Sequence, residues 1–182
     1  MAFESYYWKK DLKRDISYIQ KKVDVKIWDL DGYKFDEHFS KIEIKLFLMA
    51  FSIRKLLESQ RLPDSAKNLE LKCVKYKRNS RIQSLSFDYE KLYDFDKSIK
   101  TNLSLVNLLN QFIHAHVLQV LSSRNGCIRR IFVTSDWQKE DCLYSLDIKD
   151  FLTYILKISK MQVKSMHRTY DPIANKITTV IN

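Results

Sequence analysis

Apolar residues recur along the first third of the chain at the spacing of a helix. Trp8, Leu12, Ile16, Ile19 and Val23 stand three or four positions apart with charges between them, which predicts an amphipathic surface helix over residues 5–22. Asp29, Asp31 and Gly32 among Ile27, Trp28 and Leu30 read as a turn-rich connection. A second helix is expected from Asp36, a suitable N-cap, to about Gln60, just ahead of Pro63. Phe39, Ile42, Leu46, Met49, Ile53 and Leu56 line one face, and Phe47, Leu48, Phe51 and Leu57 widen it almost all round. That pattern describes a helix buried at the centre of a core.

Past Pro63 the period falls to two. Leu69, Leu71 and Cys73 alternate with Glu70, Lys72 and Val74 as a strand, residues 82–87 read as its returning partner, and 89–95 as a short helical or irregular piece. Residues 98–115 are expected to form a strongly apolar helix. The segments 117–121 and 127–134 then flank Asn125-Gly126, a strong hairpin signal. A short strand at 142–146 feeds a helix capped by Asp147, with Ile148, Phe151, Leu152, Ile155 and Leu156 on its buried face, and 163–170 and 176–181 close the chain as a hairpin. Helices early and short strands later predict a single α+β domain over residues 1–182. Its N-terminal helices pack on one face of an antiparallel sheet of short strands and hairpins.

Composition narrows the chemistry. A chain of 182 residues is long enough to bury roughly 70% of its unfolded surface in one core. Gly32 and Gly126 are its only glycines and stand alone, which excludes phosphate-cradling loops of the GxGxxG or GxxxxGK type. Cys73, Cys127 and Cys142 are widely spaced without a CxxC pair, so neither a disulfide framework nor a thiolate zinc site is indicated, and a reducing cytosol is the expected setting. The opening residues lack the apolar core of a signal peptide, and no run of about 18 apolar residues could span a bilayer. The expectation is a soluble cytoplasmic protein with no membrane partner and no cofactor. Its net charge of +10 favours polyanions: RNA, DNA or an acidic protein surface.

Two constellations stand out. In the stretch 72–81, Lys72, Lys75, Lys77, Arg78 and Arg81 supply five cations without an acid, and Tyr76 adds a ring. On a strand, Lys72 and Tyr76 share a face, so that cations could hold phosphate while the ring stacks on a base; the plainer reading is an edge blunted by lysines. Lys157, Lys160, Lys164 and Arg168 form a second acid-free tract. The other constellation is Asn107, Asn110 and His114, at i, i+3 and i+7 on one helical face, with His116 completing an HxH pair. A buried hydrogen-bond network is the expected role of Asn110 and His114, because buried polar side chains mostly serve this purpose. An isolated HxH does not complete the ligand set zinc requires, so no metal is assigned. The HEPN nucleases pair an Arg with a downstream His on a helix; here Asn107, Leu108 and Leu109 stand upstream of His114 and the Arg is missing. Asp88, Glu90, Asp94 and Asp96, interleaved with aromatic residues, show no catalytic spacing.

The opening Tyr7-Trp8-Lys9-Lys10-Asp11-Leu12 together with Asn110-Gln111-Phe112-Ile113-His114 resembles bacterial proteins of comparable length that have no assigned activity. The resemblance implies a bacterial origin and one domain, and no catalytic residue. The expected function is a non-enzymatic intracellular binding protein, self-associating as a homo-oligomer, that meets nucleic acid or an acidic partner through Lys72, Lys75, Tyr76, Lys77, Arg78 and Arg81. The alternative is a hydrolytic enzyme, a nuclease, centred on Asn110, His114 and His116.

Overall fold

The three-and-four spacing of the first helix is realised as α1 (Ser5–Val23), with Leu12, Ile16, Ile19 and Val23 all buried. The computed structural model describes residues 5–79, 89–171 and 175–182. A 3-10 turn at Ile27–Asp29 leads into α2 (Gly32–Glu58), which starts earlier than the Asp36 cap expected from sequence. The reason is the backbone of Asp31, whose carbonyl already accepts the N–H groups of Lys34 (2.8 Å) and Phe35 (3.1 Å). Then follow β1 (Glu70–Arg78), α3 (Tyr89–Leu92), β2 (Tyr93–Ser104), α4 (Leu105–Ile113), β3 (Ala115–Ser122), β4 (Ile128–Ser135), β5 (Cys142–Asp147), α5 (Ile148–Lys160), β6 (Met166–Asp171) and β7 (Lys176–Ile181).

One expected element changes identity. Residues 98–104, assigned from sequence to the start of a helix over 98–115, are strand, and the helix occupies only Leu105–Ile113. Ile99, Thr101 and Leu103 alternate with Lys100 and Asn102, and pair with β1 so that Leu71 faces Leu103 and Cys73 faces Thr101. The helix begins where Ser104 Oγ accepts the Asn107 N–H at 3.4 Å. The expected returning strand at 82–87 lies outside the described residues. The Asn125-Gly126 hairpin forms as expected, and Gly126 sits at φ +81° with the Trp28 indole so close that a β-carbon there would overlap the ring.

The main sheet has the order β2-β1-β5-β4-β3 with every neighbouring pair antiparallel, and β6 and β7 form a separate two-stranded ribbon. The architecture is α+β. Alternate residues of the strands, including Leu71, Cys73, Leu103, Val120, Ile131, Val133, Tyr144 and Leu146, face a core shared with the helices. α4 and α5 lie directly against the strands, α2 packs on α4 and reaches β3, and α1 packs over α2 and α5 as an outer layer. At the centre, Phe112 of α4 stacks on Phe151 of α5 with ring centroids 5.1 Å apart. The opposite side of the sheet carries a smaller cluster of Leu92, Tyr93, Phe132 and Leu143 with Tyr76, Tyr89 and Phe95. The edge of β3 is guarded by α2, whose half-buried Glu43 accepts the outward Val120 N–H at 3.1 Å. No described helix is long and apolar enough to cross a membrane.

His38 of α2 is buried. Its Nε2 has no hydrogen-bond partner among the described residues. Burial, and then the Lys22 charge, push its pKa below the ordinary value of 6.5. Protonation is therefore easier in the unfolded chain, and His38 contributes stability that is intact above about pH 6.5 and is lost as pH falls below it. Urea melts at about pH 7.5 and about pH 5.5 should show a loss at the lower pH, at most about 1.4 kcal/mol per pH unit from this group, that His38→Leu reduces. An equal acid loss in the variant would contradict the assignment.

Candidate anion-binding groove

The cations that the sequence gathers in β1 are divided by the strand between two faces. Lys72, Tyr76 and Arg78 point away from the helices, while Lys75 and Lys77 stand opposite Tyr144 and Cys142 on the helix side. Tyr76 is half-buried against Phe95 (4.7 Å) and Phe132 (6.1 Å). Arg78 is tied down: its Nε meets Glu140 at 3.0 Å and its guanidinium donates to the Lys139 carbonyl. Lys72 lines a shallow cavity of about 520 Å³ with Lys100 and Arg130, and Asp147 and Asp150 supply counter-charges in the same lining. Arg81 lies outside the described residues.

The second basic tract does not join the first. It lies near the start of β1, where Tyr154 donates to the Leu69 carbonyl and the Ile181 N–H to Asp64, whereas Arg78 is at the far end beside Asp141. A strand of this length puts about 26 Å between its ends, so Arg78 is far from the second tract although Lys72 is at the nearer end, and no β1 cation lines the groove described next. What the tract joins instead is the beginning of α1. Ser5, Tyr6, Lys9, Lys10 and Lys13 of α1, Gln60 and Arg61 after α2, and Ser159 and Lys160 at the end of α5 surround a groove of about 740 Å³, closed by Gln162, Val163 and Met166. Among the described residues no acidic side chain lines it.

Local rules explain how each wall is built. Tyr6, Lys9, Lys10 and Lys13 fall at i, i+3, i+4 and i+7, next to the stripe through Leu12 and Ile16 that holds α1 to the core. α2 ends in a Schellman turn: Gln60 adopts φ 59°, its N–H bonds to Leu57 and that of Arg61 to Leu56, which turns the chain sharply at the groove wall. Lys9 is the fixed member, donating to the Met161 carbonyl at 2.6 Å, and partial burial followed by the Lys13 charge lowers its pKa. Lys10, Lys13, Arg61 and Lys160 have no ion-pair partner among the described residues. Helix dipoles account for part of this arrangement, because Arg61 and Lys160 sit at helix C-termini where cations are favoured. Lys9 and Lys10 are placed against that preference. They occupy the early turns of α1, whose first turn carries no acid, and the positive end of the dipole lies there.

The Asn107, Asn110 and His114 stripe also departs from expectation. Asn107 and His114 are exposed and Asn110 is partly so. His114 is the C-cap of α4 and lies against Trp137 with centroids 4.4 Å apart, and Asn110 Oδ1 accepts from Arg54 at 3.1 Å. His116 turns to Asp136, Nδ1 to Oδ1 3.2 Å, and Lys139 draws on the same oxygen at 3.0 Å. The buried network expected at Asn110 and His114 is formed by their neighbour Gln111, 3% exposed, whose Nε2 donates to the Asn107 carbonyl and whose Oε1 accepts the Ser135 N–H at 2.9 Å. Among the described residues no cluster of His, Cys, Asp and Glu could hold a metal ion. Burial raises the thiol pKa of Cys73 to about 11 and raises that of Cys142, so both stay protonated in the core.

No family model matches the chain, and neither a curated protein nor a solved structure matches it.

Gln111→Leu should destabilise the protein by about 1 to 3 kcal/mol, because the buried Ser135 N–H loses its acceptor. His114→Ala, which removes an exposed ring, should cost less. Denaturant melts of the two variants test the placement, and the reverse ranking would contradict it.

Proposed function

We propose that the protein is a non-enzymatic cytoplasmic binding protein that holds single-stranded nucleic acid in the groove between α1 and the ends of α2 and α5. The observation that carries this reading is four cations, Lys10, Lys13, Arg61 and Lys160, brought from three separate segments to one groove that no acidic side chain lines among the described residues. Unpaired like charges held together repel one another, and a chain of phosphates relieves that repulsion while releasing condensed counterions. Tyr6, 67% exposed, stands on the same wall and offers a ring on which a base can stack. Phosphate contact through flexible lysines, with one aromatic platform, favours single strands over sequence-specific duplex recognition, for which no helix presents a row of base-reading side chains. The cations of β1 lack this convergence, since they are split between two faces of the sheet.

Fluorescence anisotropy with a short labelled single-stranded RNA tests the reading. Four neutralised phosphates give a log–log salt slope of about −3 between about 50 and about 200 mM salt. Replacing Lys10, Lys13, Arg61 and Lys160 together by Ser, all exposed positions, should weaken binding roughly tenfold or more at low salt, whereas replacing Lys75 and Lys77 by Ser should leave it nearly unchanged. Absence of binding at low salt would refute the proposal, as would a groove variant that binds like wild type.

A further inference from the structure

We propose that a second copy of this chain docks on the outer face of α2, forming a weak two-fold dimer. α2 is apolar on two sides. One side, with Ile42, Leu46, Met49, Ile53 and Leu56, is fully buried in the core. The other carries Ile44, Leu48 and Phe51 at i, i+4 and i+7, with Phe47 beside them, and these are 58%, 46%, 38% and 38% exposed. The monomer therefore leaves unused a second stripe at the spacing by which helices pair. Arg54 meets Asn110 and Glu43 meets Val120, so the stretch of α2 between them, about three turns, runs alongside α4 and β3, with the apolar stripe turned away from these contacts.

Charge identifies the partner. A chain of net charge +10 repels its own copies and can self-associate only through a face whose charges cancel. α2 is such a face. Lys34, Lys41, Lys45, Arg54 and Lys55 are all its lysines and arginines, and each is in an ion pair, with Asp31, Glu37, Asp15, Glu58 and Glu58 respectively. An acidic partner finds no free cation there, while a second apolar stripe finds a matching one. Around a two-fold axis near Leu48, Ile44 of one copy comes opposite Phe51 of the other, as an isologous contact requires.

Area sets the strength. Taking about 200 Å² for a whole side chain of this size, Ile44, Phe47, Leu48 and Phe51 offer about 360 Å² per copy. Two copies would bury about 700 Å² of apolar side chain, less than a standard stable interface, as a weak and reversible dimer requires.

Sedimentation equilibrium of the full chain, freed of nucleic acid by nuclease and high salt, should show monomer passing to dimer between about 1 and about 100 μM. Added salt should favour the dimer by screening the net charge, the opposite of its effect on nucleic-acid binding, so failure of the groove reading leaves this result unaffected. Ile44→Lys and Leu48→Glu, each at an exposed position, should give monomer throughout the range with wild-type circular dichroism. A wild-type chain that stays monomeric to about 100 μM would overturn the proposal and leave the stripe to a different protein. A dimer that survives both substitutions, or that salt dissociates, would overturn it as well.

Discussion

α4 must carry the chain from one corner of the main sheet to the diagonally opposite corner, and it has nine residues for the task. β2 and β3 are the two edges of the five-stranded sheet, yet only α4 separates them in sequence. β2 ends at the level of Glu70, and β3 begins opposite Ser135, which the registers place seven positions further along at the level of Lys77. In a flat sheet the corners would be about 30 Å apart, from four strand spacings across and seven residues along. A nine-residue helix spans about 14 Å, and one extended residue at each end brings the reach to about 21 Å. The sheet must therefore twist and curl until the corners approach each other over the helix face. The register shifts between Ala115 and Val117, between Leu121 and Ser122, and between Tyr76 and Arg78 fall in the two outermost pairings, β3 with β4 and β2 with β1, where bulges increase twist.

The same constraint fixes the rest of the helical layer. Leu105, Leu108, Leu109 and Phe112 of α4 are buried between the curled sheet and α2, and the Phe112–Phe151 stack sets α5 beside it. The carbonyl of Leu69 receives both the Leu105 N–H and the Tyr154 hydroxyl at 2.9 Å, joining the starts of β1 and α4 to α5. With α4 and α5 in place, α1 crosses over α2 and α5 with its first turns at their C-terminal ends. Those turns carry Lys9, Lys10 and Lys13, and the ends they meet carry Arg61 and Lys160. The groove is thus a consequence of helix packing order, and so is the exposed outer stripe of α2, since α1 and α4 occupy only its inner sides.

Elements whose signal is local were legible in the sequence. The helical spacing of α1, the Asp147 cap, which accepts from Lys149 and Asp150, and the Asn125-Gly126 turn each depend on residues a few positions apart. The start of α4 was missed because Ile99, Thr101 and Leu103 alternate in a run that also fits an apolar helix, and only the Ser104 cap breaks it. Asn107, Asn110 and His114 do share a direction, but spacing does not say which side of a helix faces water. Gln111, one step from Asn110, took the buried position. α2 was read as central, which its inner face satisfies, while the exposure of Ile44, Leu48 and Phe51 depends on which neighbours cover it. Of the groove only Lys160 was legible, in the acid-free tract at 157–168, because the other cations come from segments about fifty and about a hundred residues apart.

Native-state hydrogen exchange tests the central claim, that the sheet is held in its curled form by a buried diagonal helix. If α4 is the brace, the amides of Leu109 and Phe112 exchange only by global unfolding, with the same free energy of opening as Val133 and Tyr144 in the central strands, while outer turns of α1 open at lower cost. Exchange of the α4 amides through a local opening cheaper than that of α1, with β4 and β5 still protected, would contradict the account.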